Sequence, residues 1–145
     1  MTQMREPRET ILVVDDNMGV RGYTKLSLED AGFDVITAAD GEEALRLYQQ
    51  HQLSIVLLIT DVGMPNMNGF QLADRVLQID TQLPVLFMSG RYAGIVFRGL
   101  ECIAKPFQPA ELVEKVKWAL NMPCSKYEHT LEKSGLQNTA LAEPY

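Results

Sequence analysis

A chain of 145 residues, 46% hydrophobic and 22% charged, fits one soluble globular domain and leaves little for a second. No apolar run approaches the ~20 residues that a bilayer crossing needs, and a formal net charge of −6 argues against a basic face for nucleic acid or an anionic membrane. Cys102 and Cys124 form no CxxC or Cys/His cluster, which argues against a zinc site or disulfide framework and suits a reducing compartment.

The start, "MTQMREPRET", is polar and has no hydrophobic signal region, so a cytoplasmic location is expected. "ILVV" at 11–14 is β-branched and ends in Asp15-Asp16, the pattern of a buried strand. "MGVRGYTKLSLEDAG" follows as a helix, with Val20, Tyr23, Leu26 and Leu28 near helical spacing and Gly32 as its stop. "FDVITA" predicts a second strand and "GEEALRLYQQH" a second helix, with His51 at its end. "SIVLLIT" is a third strand, "GFQLADRVLQI" a third helix, "PVLFMS" a fourth strand and "CIA" a short fifth. "PAELVEKVKWAL" is a helix with Leu112, Val113, Val116 and Leu120 on one stripe. After it, residues 122–145 lose the rhythm and predict an extension or linker behind a domain of residues 9–121. The alternation implies a parallel sheet with helices on both faces, its strands apolar throughout because both sides are buried.

In such sheets functional groups gather beyond the carboxyl ends of the strands. Here those ends carry Asp15-Asp16, Thr60-Asp61, Ser89 and Lys105. Carboxylates gathered there repel, by about 4 kcal/mol for two charges 4 Å apart at an effective dielectric near 20. A hard divalent cation offsets this, and Mg²⁺, with its oxygen ligands and retained waters, suits sites that handle phosphate. Lys105 adds a second positive charge beside Asp61, a carboxylate so placed can attack phosphorus, and Ser89 can donate to the phosphoryl group.

With "VVDDN", "ITDVGMPNMNG", "FMSG" and "AKPF" in order at strand ends, the chain resembles the receiver domain of two-component response regulators over residues 9 to 121. The resemblance implies a flavodoxin-like doubly wound α/β fold with five parallel strands in order 2-1-3-4-5. It implies Asp61 as phosphoacceptor and Mg²⁺ held by Asp15, Asp16, Asp61 and the Gly63 carbonyl. Ser89 becomes the switch hydroxyl, Lys105 the phosphate-contacting lysine, and Lys105-Pro106 a cis bond. The implied partners are a histidine kinase or histidine phosphotransfer protein and a downstream target, with no nucleic acid and no membrane. The chain then acts as a switch rather than a metabolic enzyme, standing alone or as a piece of a hybrid histidine kinase.

Taken singly, each residue has a plainer role. Asp15-Asp16 could cap the first helix, Asp61 and Ser89 could form turns, and Lys105 could be a solvated surface lysine. Phe107 and Trp118 read as packing, and His51 and His129 carry no chemistry. Three departures from the family pattern stand out. Cys102 replaces the aromatic residue usual three positions before the lysine, leaving Tyr92 or Phe97 as substitutes and Cys102 as a buried structural thiol. The stretch between Ser89 and Lys105 is short for a full helix, so a helix there is expected to be shortened or missing, as in receivers of hybrid kinases. Gly63 and Arg91 occupy positions that influence acyl-phosphate lifetime in the family. The rival functions are an aspartate-nucleophile phosphohydrolase, whose usual second Asp is here Gly63, a flavodoxin-type binding module, and a phosphorylation-independent pseudo-receiver.

Overall fold

The computed structural model describes residues 8–90 and 102–121. Five strands, β1 (Thr10–Val14), β2 (Asp34–Ala38), β3 (Ile55–Asp61), β4 (Val85–Ser89) and β5 (Cys102–Ala104), form one parallel sheet in the order β2-β1-β3-β4-β5. Between them run α1 (Met18–Asp30), α2 (Gly41–Gln50) and α3 (Gly69–Ile79), and α4 (Pro109–Asn121) follows β5. The expected flavodoxin-like fold and its strand order are both present.

Successive residues of a strand point to opposite faces, and β1 shows what this achieves. Leu12 and Val14 enter a core with Ala44 and Tyr48 of α2 and Phe70, Leu72 and Val76 of α3. Ile11 and Val13 enter a second core with Leu28 of α1 and Leu112, Val116 and Ala119 of α4. A helix pair therefore covers each face, and the strands between them need the unbroken apolar runs of the sequence.

The helix ends are set locally. Asn17 caps α1 by accepting from the Val20 amide, Asp40 caps α2 through the Glu43 amide, and Asn68 and Gln71 form a capping box on α3. At the other end of α1, Gly32 takes φ 101°, while its amide and that of Phe33 bond back to Glu29 and Leu28. This is the stop expected at Gly32, and only glycine adopts that backbone at little cost.

The expected apolar stripe of α1 is corrected. Leu26 is 67% and Tyr23 41% exposed, whereas Thr24 and Leu28 are buried. At 100° per residue, Leu26 and Leu28 stand on nearly opposite sides of a helix, so they cannot share a face. Thr24 can be buried because its hydroxyl donates to the Val20 carbonyl at 2.8 Å. On α4, Leu112 and Val116 are buried as expected, but Trp118 stays 47% exposed. The expected shortened helix after Ser89, Arg91, Tyr92, Phe97, Cys124, His129 and the 122–145 extension all lie outside the described residues.

Candidate functional site

β1 and β3 lie side by side at the point where the chain order reverses, and both end in aspartate at the same edge. This is the crevice where open α/β sheets place their ligands. Asp15 follows β1, its amide bonded to the Ala38 carbonyl at 3.1 Å, and Asp61 closes β3. Carboxylate oxygens of Asp15, Asp16 and Asp61 lie within 4.8 Å of one another.

The three carboxylates differ in environment. Asp15 is fully buried, and its Oδ1 accepts from the Asn17 amide at 2.9 Å. Its Oδ2 accepts from Lys105 Nζ at 2.7 Å. Asp61 is 8% exposed, with Oδ1 3.1 Å from the same Nζ. Asp16 points to solvent. Neither Asp15 nor Asp16 caps α1, because Asn17 does. Lys105 stands between two acids rather than beside Asp61 alone, and its shorter contact is to Asp15.

Ser89 is the last residue of β4 and 4% exposed, and its carbonyl accepts the Lys105 amide at 3.0 Å. This bond locks the serine and the lysine in register across β4 and β5. Gly63 is exposed at the mouth of the site, two residues beyond Asp61. Lys105-Pro106 is cis, as expected. Cys102 is buried opposite Phe87, which places it as a core thiol.

Four residues that sequence reasoning passed over shape this edge. Asn17 caps α1 and also holds Asp15 through its amide, and an Asn just past a strand is a recognisable helix start. Arg21 donates to the Asp15 carbonyl at 2.8 Å, which puts another cation near the acids. Gly69 lies so close to the backbone of Asp61 that a Cβ there would overlap the Asp61 carbonyl, and its amide bonds to the Val62 carbonyl at 2.9 Å. Tyr23 donates to the Phe107 carbonyl at 2.9 Å. The Arg21 and Gly69 contacts span only six to eight positions, and that of Tyr23 spans 84, but none has a pattern along the chain that announces it.

Burial raises the Asp61 pKa above the ordinary carboxylate range; Lys105 opposes the rise, and the charges of Asp15 and Asp16 add to it. A group whose folded pKa lies above its unfolded one stabilises the fold fully below the unfolded value and loses that contribution as pH rises through the folded value. Ionised Asp61 therefore costs stability at neutral pH. In the metal-free protein, Asp61→Asn is expected to raise the melting temperature by about 3–8 °C at pH 7, the equivalent of ~1 kcal/mol, and to have little effect near pH 3. Thermal melts in the presence of a chelator test this, and a lower melting temperature for the variant at pH 7 would refute it.

The acid set fits a hard divalent cation, since it offers convergent oxygen donors without nitrogen or sulfur. The likenesses of the whole chain agree with the site. Residues 11–117 match the model of the response regulator receiver domain. The chain is 31% identical over 138 residues to a probable transcriptional regulator, ycf27, of Porphyridium aerugineum, covering 90% of this chain and 56% of that protein. It thus spans about half the length of the curated relatives it matches. The receiver domain of the hybrid histidine kinase CckA superposes with a TM-score of 0.69 at 36% identity, covering 77% of this chain and 99% of that one. CheY of Borrelia burgdorferi, in a complex with CheX, BeF3 and Mg²⁺, superposes with a TM-score of 0.73 at 26% identity, covering 79% and 90%. Receiver domains are signalling switches that bind Mg²⁺ at an acidic pocket and interact with histidine kinases or phosphotransfer proteins. Fold, acidic edge and matched length converge on one conclusion: this chain belongs to the response regulator receiver domain family.

Proposed function

We propose that Asp61 is the phosphoacceptor of this receiver. The observation that carries the reading is the position of Asp61 at the end of β3, against the Lys105 ammonium and beside Asp15 and Asp16. A carboxyl raised by burial is more basic and, once ionised, a stronger nucleophile. A carboxylate oxygen of Asp61 bonds to phosphorus as the bond from phosphorus to the donor imidazole nitrogen breaks. Lys105 balances charge on the phosphoryl oxygens, and the Ser89 hydroxyl donates to one of them. Asp15, Asp16, Asp61 and the Gly63 carbonyl would hold Mg²⁺, which when bound supplies charge neutralisation at the phosphoryl group.

The product carries about −1.5 to −2 charges on its phosphoryl group where the ionised carboxylate carried one. It also places three new acceptor oxygens at one buried edge, which biases a surface between two states. The donor is a histidine kinase or histidine phosphotransfer protein in the cytoplasm, and the receiver unit spans residues 9–121, with 122–145 an extension. A net charge of −6 weighs against nucleic acid as a partner of this unit. The hydrolase reading is weaker because Gly63 puts no acid/base side chain two residues after Asp61.

Intact mass after incubation with acetyl phosphate tests the proposal. One phosphoryl group is expected to be gained with Mg²⁺, none with a chelator, and none in Asp61→Asn. Labelling of the Asn variant at the wild-type level, or no uptake by the wild type from either acetyl phosphate or a phosphohistidine protein, would sink it.

A further inference from the structure

Tyr23 sits on the outer side of α1, 41% exposed, where a tyrosine hydroxyl is readily hydrated. Yet its hydroxyl donates at 2.9 Å to the carbonyl of Phe107, 84 positions along the chain. The two rings also meet, with centroids 5.8 Å apart and planes tilted by 45°. Phe107 is buried and lies two residues after Lys105, in the segment that joins β5 to α4.

That segment is held on two sides. Before it, the Lys105 amide bonds to the Ser89 carbonyl at 3.0 Å. After it, the Phe107 carbonyl is held by Tyr23. Between Tyr23 and the segment runs an open groove lined by Val20, Tyr23, Lys105, Pro106, Phe107 and Gln108. The Phe107 ring anchors the segment in the core, but the groove leaves its side toward α1 open, and there the tyrosine hydrogen bond limits its movement. The demand for such restraint is high, because Lys105 Nζ must stay within 2.7 Å of Asp15 and 3.1 Å of Asp61 at the end of a flexible side chain.

We propose that Tyr23 is a positioning residue for Lys105: the bond from its hydroxyl to the Phe107 carbonyl holds the β5–α4 segment so that the ammonium stays between Asp15 and Asp61, and this sets the rate of phosphoryl uptake. The rate clause rests on the assignment of Asp61 above, whereas the placement of Lys105 does not.

Tyr23→Phe in the full chain keeps the ring contact and removes only the hydroxyl. The nitrogen-15 and proton NMR signal of the Lys105 ammonium, recorded without metal, reports its restraint directly. In the variant that signal is expected to broaden or vanish while the melting temperature falls by no more than about 8 °C, as loss of one hydrogen bond implies. The rate of labelling by acetyl phosphate at saturating Mg²⁺ is expected to fall about three- to tenfold, as loss of one hydrogen bond implies. A wild-type signal with a wild-type rate overturns the proposal. So does a slower rate with an unchanged signal, because the hydroxyl then acts by another route. If the wild type takes up no phosphoryl group from acetyl phosphate or from a phosphohistidine protein, the assignment of Asp61 fails, and the Lys105 signal alone decides whether Tyr23 places the lysine.

Discussion

Lys105→Met is expected to lower the melting temperature of the metal-free protein by more than about 10 °C at pH 7, since breaking a buried ion pair costs roughly 3–5 kcal/mol. Asp15 is fully buried, and Lys105 Nζ is the partner of its Oδ2 at 2.7 Å. Methionine fills much of the lysine volume but leaves Asp15 and Asp61 facing each other with their shared cation removed. Because part of the cost comes from ionised Asp61, whose pKa burial raises, melting at pH 4–5 is expected to narrow the gap to wild type, and Mg²⁺ at pH 7 to narrow it as well. Burial alone would lower the pKa of Lys105, but hydrogen bonds and charges from Asp15 and Asp61 outweigh it, so the net shift is upward. On the alkaline side, the wild type therefore keeps this stabilisation up to the ordinary lysine range and loses it only as pH climbs through the raised value. Thermal melts of both proteins from pH 4 to 10 check the pattern, with a gap that opens as pH rises from 4 and then holds steady up to pH 10. A variant within about 2 °C of wild type at pH 7 would mean that the pair contributes no net stability, as for a surface pair.

Gly69→Ala is the second large effect. A Cβ at this position would fall on the Asp61 carbonyl oxygen and crowd the Val62 Cα, all of it backbone that cannot rotate aside. The first turn of α3 and the end of β3 must then separate, at a cost of about 1–3 kcal/mol for overpacking. Asp61 moves with its backbone, and a shift near 1 Å at a reacting group lowers rates about 10²-fold. Acetyl phosphate labelling should fall by about that factor, a loss larger than the destabilisation alone would cause. Gly63→Ala is the matched control, because a Cβ there meets nothing within 4 Å. Its fold should be as stable as wild type. Labelling of Gly69→Ala within twofold of wild type would show that the contact does not place Asp61.

The order of elements was legible because each carries its own period. Continuous apolar runs such as Ile55 to Ile59 announced buried parallel strands, and Gly32 marked the end of α1 through a backbone angle that only glycine takes cheaply. The acidic edge was legible for a related reason. Strand ends in a parallel sheet share one rim, so Asp15, Asp16, Asp61, Ser89 and Lys105 could be gathered without coordinates, and the described residues place them there. The error in α1 has the same origin as these successes. Four apolar residues were read as one stripe, although Leu26 and Leu28 are about 200° apart around a helix, and a threonine with its own hydrogen bond fills the inward place between Val20 and Leu28.

By itself, then, the sequence determined the alternation of strands and helices and the residues that meet at the rim, because these follow from local periodicity and from residues adjacent to strand ends. The family and its strand order came from the likeness of four motifs to receiver domains. Tertiary structure alone decided how the charges divide. It gave Asp15 the shorter contact with Lys105, turned Asp16 toward water, and set Gly69 and Tyr23 as supports for Asp61 and the lysine segment. The reason is physical: burial and an ion pair depend on distances of a few tenths of an ångström between segments up to 90 positions apart, and no pattern along the chain encodes them.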